Sequence, residues 1–215
     1  MIAITGSGEI AISVARNLIQ TGHEICVYGR QHKIAPDIEK YYRKLDQYRS
    51  INFDSKADTL LVTNGSFILN QFEKLKASEI DELVESNFGV VTNIVQRFLQ
   101  QTTRDIRRDV IVLGSTAAYD LGPSASVYGA SKLALKGLLT SLNKEYTKTN
   151  TRFSYISFST VDNSMGNLVP DQIQETLLEL GEISKEITLR VTRETNYFEP
   201  EAILRRRFIQ EHKSK

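Results

Sequence analysis

The chain has no tryptophan, one cysteine, four prolines and three histidines among its 215 residues. Each scarcity removes a class of protein. A single cysteine, Cys26, rules out an intramolecular disulfide framework and suits a reducing compartment. It sits in an apolar run and reads as buried filler. His23, His32 and His212 lie far apart, and no Cys/His cluster has metal-ligand spacing, so no metal site is expected. A formal net charge of +1 supplies no global basic field for nucleic acid. No apolar run reaches membrane-spanning length, and the first residues read as a strand, not as a charged leader with an apolar core. The expectation is a cytoplasmic protein without nucleic-acid or membrane partners. With 40% hydrophobic and 25% charged residues, the composition is that of a globular chain, and the length suits one domain, residues 1–215.

What is present is an alternation of short β-rich runs with helical patterns. Ile2–Thr5 reads as a strand, Ile10–Gln20 as a helix, and "EICVYG" as a second strand. Pro36 to Tyr48 reads as a helix, "SINF" as a short strand and "DTLLVTN" as another. Ser78 can cap a helix with Asp81 three residues on, as in a capping box. Apolar residues at Ile80, Leu83, Val84, Val91, Ile94, Val95, Phe98 and Leu99 follow it at helical spacing. "DVIVLGS" is a strand, Val127–Tyr146 a helix, and "FSYISFS" a strand; "EITLRVTR" offers a last strand, and the tail, 201–215, an exposed helix. Strands alternating with helices predict an α/β fold of the Rossmann type: a doubly wound parallel sheet in three αβα layers. Ligands of such sheets bind beyond the carboxyl ends of the strands.

Five signals fall at those ends. The first strand runs into "TGSGEIA", where Gly6-x-Gly8-x-x-Ala11 matches the dinucleotide fingerprint in its Ala-ending form. Gly6, Ser7, Gly8, Glu9 and Ile10 would then form the turn and helix start that receive a pyrophosphate. The second strand ends in Gly29 and Arg30, with Lys33 nearby and no acid for a ribose 2′-hydroxyl, which favours NADP(H) over NAD(H). Asn64 and Gly65 suit a strand-to-loop turn over a cofactor. Asn87 falls on the apolar side of the Ser78 helix, where it favours a local break. Ser115 ends a strand thirteen residues before Tyr128, and Tyr128 and Lys132, four apart, share a helix face. Tyr-x-x-x-Lys alone is a weak signal.

Taken together, these residues resemble the short-chain dehydrogenase/reductase family, from Ile2 to about Met165. The resemblance maps the family's catalytic tetrad onto Asn87, Ser115, Tyr128 and Lys132, and its Asn-Asn-Ala-Gly turn onto "VTNGS". It implies an NADP(H)-dependent oxidoreductase that interconverts a carbonyl and an alcohol on a small, partly apolar substrate. Tyr128 would be the general acid, its pKa lowered by Lys132, which also holds the nicotinamide ribose. Ser115 would hold the substrate oxygen, and Asn87 a water leading to Lys132. The family's usual four-helix interface implies a homodimer formed by the helices Ser78–Gln101 and Val127–Tyr146.

There are departures. Glu9 places a carboxylate near the expected pyrophosphate, and the glycine loop is one residue short. The helix before "TLLVTN" is reduced or missing. Phe158 and Ser159 replace a Pro-Gly pair, and Asn163 replaces a threonine. Residues 164–215 read as a divergent substrate-side region and tail, with Tyr119, Leu121, Met165 and Leu168 as candidate pocket walls. The departures motivate a second reading, a weakly active or non-catalytic nucleotide-binding regulatory protein. A third, a sugar-nucleotide epimerase, would use the same Tyr–Lys pair but usually needs a larger C-terminal region.

Overall fold

A computed structural model of the chain describes residues 1–31, 34–103, 106–169, 177–193 and 198–205. The elements are β1 (Ile2–Thr5), α1 (Glu9–Gln20), β2 (Ile25–Gly29), β3 (Tyr42–Lys44), β4 (Thr59–Val62), α2 (Ala77–Val84), α3 (Val90–Gln101), β5 (Arg108–Leu113), α4 (Ala117–Asp120), α5 (Ser126–Glu145), β6 (Thr151–Phe158), β7 (Val161–Asp162), β8 (Leu178–Glu179), α6 (Leu180–Thr192) and β9 (Glu201–Leu204). Seven strands form one parallel sheet in the order β3-β2-β1-β4-β5-β6-β9; β7 and β8 pair separately.

The strands are buried on both faces, so their side chains feed two cores. Ala3, Leu60, Val62, Val110, Val112, Phe153 and Tyr155 face α3 and α5. Ile2, Ile4, Val27, Leu61, Ile111, Leu113 and Ile156 face α1 and α6. Successive residues of β1 and β5 fall in opposite cores, as the two-residue period of a strand requires. The chain order reverses between β1 and β4, and the crevice at that switch point faces the carboxyl ends. Among the described residues no helix is long and apolar enough to cross a membrane, and no group of His, Cys, Asp and Glu is placed to hold a metal ion.

Five expectations need correction. Pro36–Tyr48 is not a helix: a 3₁₀ turn at Glu39–Tyr41 leads into β3, because Tyr42, Arg43 and Lys44 pair with Val27, Tyr28 and Gly29 and so complete the sheet edge. "SINF" is not a strand. Its Ile51 and Phe53 are buried, but the segment bonds to side chains of α3, with Arg97 Nε donating to Ile51 O and Phe53 N–H to Gln101 Oε1. "EITLRVTR" lies in α6, whose Ile183, Ile187 and Val191 are buried at four-residue spacing. The last strand is instead β9, where the tail was expected to be helical; residues 206–215 lie outside the described residues. Finally, Ser78 is not the cap of α2: Lys76 holds that position, and Glu79, not Asp81, accepts its backbone N–H at 2.8 Å. No helix stands between β3 and β4, only a 3₁₀ turn at Tyr48–Ser50.

Candidate active site

The glycine turn after β1 is built by close contact. Gly6 has φ +106°, a conformation that glycine adopts without strain, and a Cβ there would overlap the Thr63 side chain. Gly8 caps α1, so the first N–H groups of that helix face the crevice. Glu9, the first residue of α1, accepts hydrogen bonds from Ser164 N–H (2.9 Å) and Ser164 Oγ (2.7 Å). The expected carboxylate is there, and it ties the glycine turn to the segment after β7.

At the end of β2, Gly29 is wedged in place. A Cβ on it would come within 2.6 Å of the Tyr42 hydroxyl and 2.8 Å of the Ser7 side chain. An acidic side chain has no room there. The Arg30 guanidinium lies over the Tyr48 ring, 5.5 Å from its centroid; Lys33 lies outside the described residues. Beyond β4, Asn64 Oδ1 is buried without a hydrogen-bond partner. Gly65 leaves room for its neighbours: a Cβ on it would stand 2.6 Å from Asn87 Oδ1 and 3.0 Å from Lys132 Nζ.

Asn87 does break its helix. The ladder widens into a π turn at Glu85–Gly89 between α2 and α3. The Asn87 side chain is fully buried and clamps Ser66 from both sides, accepting its N–H (3.2 Å) and donating to its carbonyl (3.0 Å).

Ser115 follows β5, and its side chain reaches the Tyr128 hydroxyl from the start of α5. Burial raises the pKa of Tyr128, and the hydrogen bond with Ser115 pulls it down. Lys132 is one helical turn further, 5% exposed, with its Nζ 5.8 Å from the Tyr128 ring centroid. Burial alone draws its pKa down to about 8. Burial is the larger influence on the Tyr128 phenol, and Ser115 is the group that opposes it.

Ser115 and Tyr128 open into a crevice of about 400 Å³, walled by Phe67, Leu69, Met165 and Val169, with Asp120 as its one charged lining residue among those described. Phe67 packs edge-on against Tyr128, with ring centroids 4.9 Å apart. Met165 is a wall as expected, but Tyr119, Leu121 and Leu168 are not. The Tyr119 hydroxyl turns away to Glu201, and Leu121 and Leu168 are exposed. The loop into α5 carries positive φ at Leu121 and Ser124, local strain at the lip of the crevice. Phe67, the Arg30–Tyr48 stack and Ser164 were not legible as site residues, because only the folded chain brings them there.

Comparison with known proteins bears on this site. A family model described as short chain dehydrogenase matches residues 35–174. An uncharacterised oxidoreductase of Staphylococcus epidermidis is 22% identical over 179 residues, 75% of this chain and 78% of that protein. The crystal structure of a short-chain dehydrogenase/reductase from Vibrio parahaemolyticus superposes with a TM-score of 0.81 at 19% identity, covering 96% of this chain and 100% of the other. A serine dehydrogenase in its closed form, complexed with NADP+, gives 0.81 at 16% identity, with 94% of each chain covered. At these identities the structural likeness speaks for the fold.

Proposed function

From the premise that this chain belongs to the short-chain dehydrogenase family, whose members are oxidoreductases, we propose that it reduces a carbonyl to an alcohol with NADPH, Tyr128 giving the proton. The observation that carries the proposal is the placement of Ser115 and Tyr128 on one crevice that Ile10 of α1 also lines, with the buried Lys132 Nζ 5.8 Å from the Tyr128 ring centroid.

The residues fit a dinucleotide. The α1 N-terminus and its glycine turn suit a pyrophosphate. The unpartnered Asn64 Oδ1 awaits a donor. Arg30, beside the glycine that excludes an acid, suits a 2′-phosphate. A serine dehydrogenase of the same fold is complexed with NADP+, which supports the NADPH preference. When bound, the cofactor supplies hydride to the carbonyl carbon. Ser115 holds the substrate oxygen as it gains charge. Tyr128 donates its proton to that oxygen. Lys132, beside Gly65 and Asn87, holds positive charge near the phenolate that Tyr128 becomes. The apolar crevice walls suit a small, partly apolar substrate.

The same face that carries α2 and α5 exposes Phe72, Val84 and Leu133, and an apolar patch there suits a homodimer. Glu9 favours a second reading, a weakly active nucleotide-binding protein, because its carboxylate competes with a pyrophosphate for the same helix N-terminus. A screen of aldehydes, ketones and quinones with NADPH separates the two. On the enzyme reading, Tyr128→Phe lowers turnover by roughly 10²–10⁴-fold and leaves NADPH affinity intact. Turnover equal to wild type in the Phe variant refutes the role of Tyr128; no turnover in either protein favours the second reading.

A further inference from the structure

Tyr155 is a buried tyrosine on β6 that no step above uses. Its ring lies against Gly114, the residue before Ser115, so closely that any Cβ on Gly114 would overlap it. Its hydroxyl donates to the backbone carbonyl of Lys132 at 2.8 Å, inside the protein. The Ser115 backbone N–H lies near enough to that oxygen to lower the phenol's pKa against the larger, opposite effect of burial. One hydroxyl thus stands between the backbones of two site residues that belong to different elements: Ser115 at the end of β5 and Lys132 on α5.

A phenylalanine would fill the same space, so the hydroxyl is not there for packing. The β5–β6 ladder holds Gly114 in place, the ring packs against it, and the hydroxyl ties α5 to the same point. Neighbouring contacts back this up. Ser157, on the same face of β6, reaches the Tyr119 hydroxyl at 3.5 Å. Tyr119, on the short helix that follows Ser115, bonds to Glu201 of β9, and Glu201 pairs with Lys136, one turn beyond Lys132, at 3.0 Å. The serine side and the lysine side of the site are thereby tied to the same two strands.

We propose that Tyr155 is a positioning residue that sets the distance between Ser115 and the Tyr128–Lys132 pair. The proposal rests on the oxidoreductase reading of the site. The test is Tyr155→Phe in the full chain. With a substrate from the carbonyl screen, kcat is expected to fall about ten- to a hundred-fold, as for small misplacements of reacting groups, with KM for NADPH unchanged. The alkaline limb of the kcat profile should move to higher pH, because a loosened Ser115 no longer lowers the Tyr128 pKa. Wild-type kcat with an unchanged pH profile overturns the proposal, whatever happens to the melting temperature. If the wild-type chain reduces no carbonyl, the reading of the site fails, and hydrogen exchange at residues 114–116 decides the positioning claim. Faster exchange there at an unchanged melting temperature upholds it, and unchanged protection overturns it.

Discussion

Replacing Lys132 with methionine separates what this side chain does for stability from what it does for binding. The ammonium group is buried, and burial moves its pKa from the ordinary lysine value of 10.5 to about 8. At about 1.4 kcal/mol per pKa unit, holding it charged in the folded state costs about 3 kcal/mol at pH 7. The folded-state pKa lies below the unfolded one, so the cost is fully present below pH 8 and fades as pH rises from 8 to 10.5. Methionine keeps the stem's apolar contacts and carries no charge. The variant should therefore be more stable by up to about 3 kcal/mol at pH 7, or about 6–12 °C in Tm for a chain of this size. The gap should shrink to less than half of that at pH 9.5. Urea unfolding of both proteins at the two pH values measures it. NADPH should raise the unfolding midpoint of wild type more than that of the variant, since a ligand stabilises only the state that binds it. A variant no more stable than wild type at pH 7, or a gap that does not depend on pH, would show that the charge is compensated inside the protein and would refute the reasoning.

Arg30→Ala should weaken NADPH binding by roughly 1–3 kcal/mol, the value of a charge-assisted contact, and leave NADH almost unchanged; fluorescence titration of both cofactors checks this, and equal losses would count against a 2′-phosphate contact. Light scattering at micromolar concentration should give the mass of a dimer for wild type and of a monomer for Leu133→Glu, which puts a charge on the exposed apolar face of α5; a monomeric wild type would contradict the dimer.

The fold was legible wherever burial writes a period into the chain. The strands β1, β2, β4, β5 and β6 are short apolar runs, and α3 repeats its apolar residues at helical spacing. Legibility failed where tertiary contacts outweigh local pattern. The residues of β3 are Tyr, Arg and Lys on a sheet edge, and only pairing with β2 makes them a strand. In α6, Ile187, Thr188, Val191 and Thr192 carry a strand-like β-branched composition, and the four-residue spacing of the buried ones marks the helix. Asn87, Ser115, Tyr128 and Lys132 could be picked out as candidates because their order and spacing together resemble the family's pattern, although Tyr-x-x-x-Lys alone is weak. Phe67 and the Tyr48 stack on Arg30 could not, since their roles depend on distances that exist only after folding. The balance of effects on Tyr128 also needed the structure, because burial of a phenol cannot be read from its neighbours four residues away.

Two buried cations, Arg108 on β5 and Lys132 on α5, are met in different ways by their surroundings. Arg108, at the amino end of β5, is 1% exposed and is met by Thr151 Oγ1, Leu99 O and Thr102 O. Those bonds replace water for a charge that serves packing between α3 and β6. Lys132, almost as deeply buried, has its pKa depressed by burial, with no acid among the described residues to offset it. A protein that satisfies one buried cation this fully has the means to satisfy another. On the proposed reading, a bound dinucleotide offsets part of that cost of about 3 kcal/mol. Lys132 Nζ stands beside Gly65, the residue after Asn64, whose side-chain oxygen is buried without a hydrogen-bond partner. The cost therefore falls just beyond the carboxyl end of β4, where Thr63 also packs against the glycine turn.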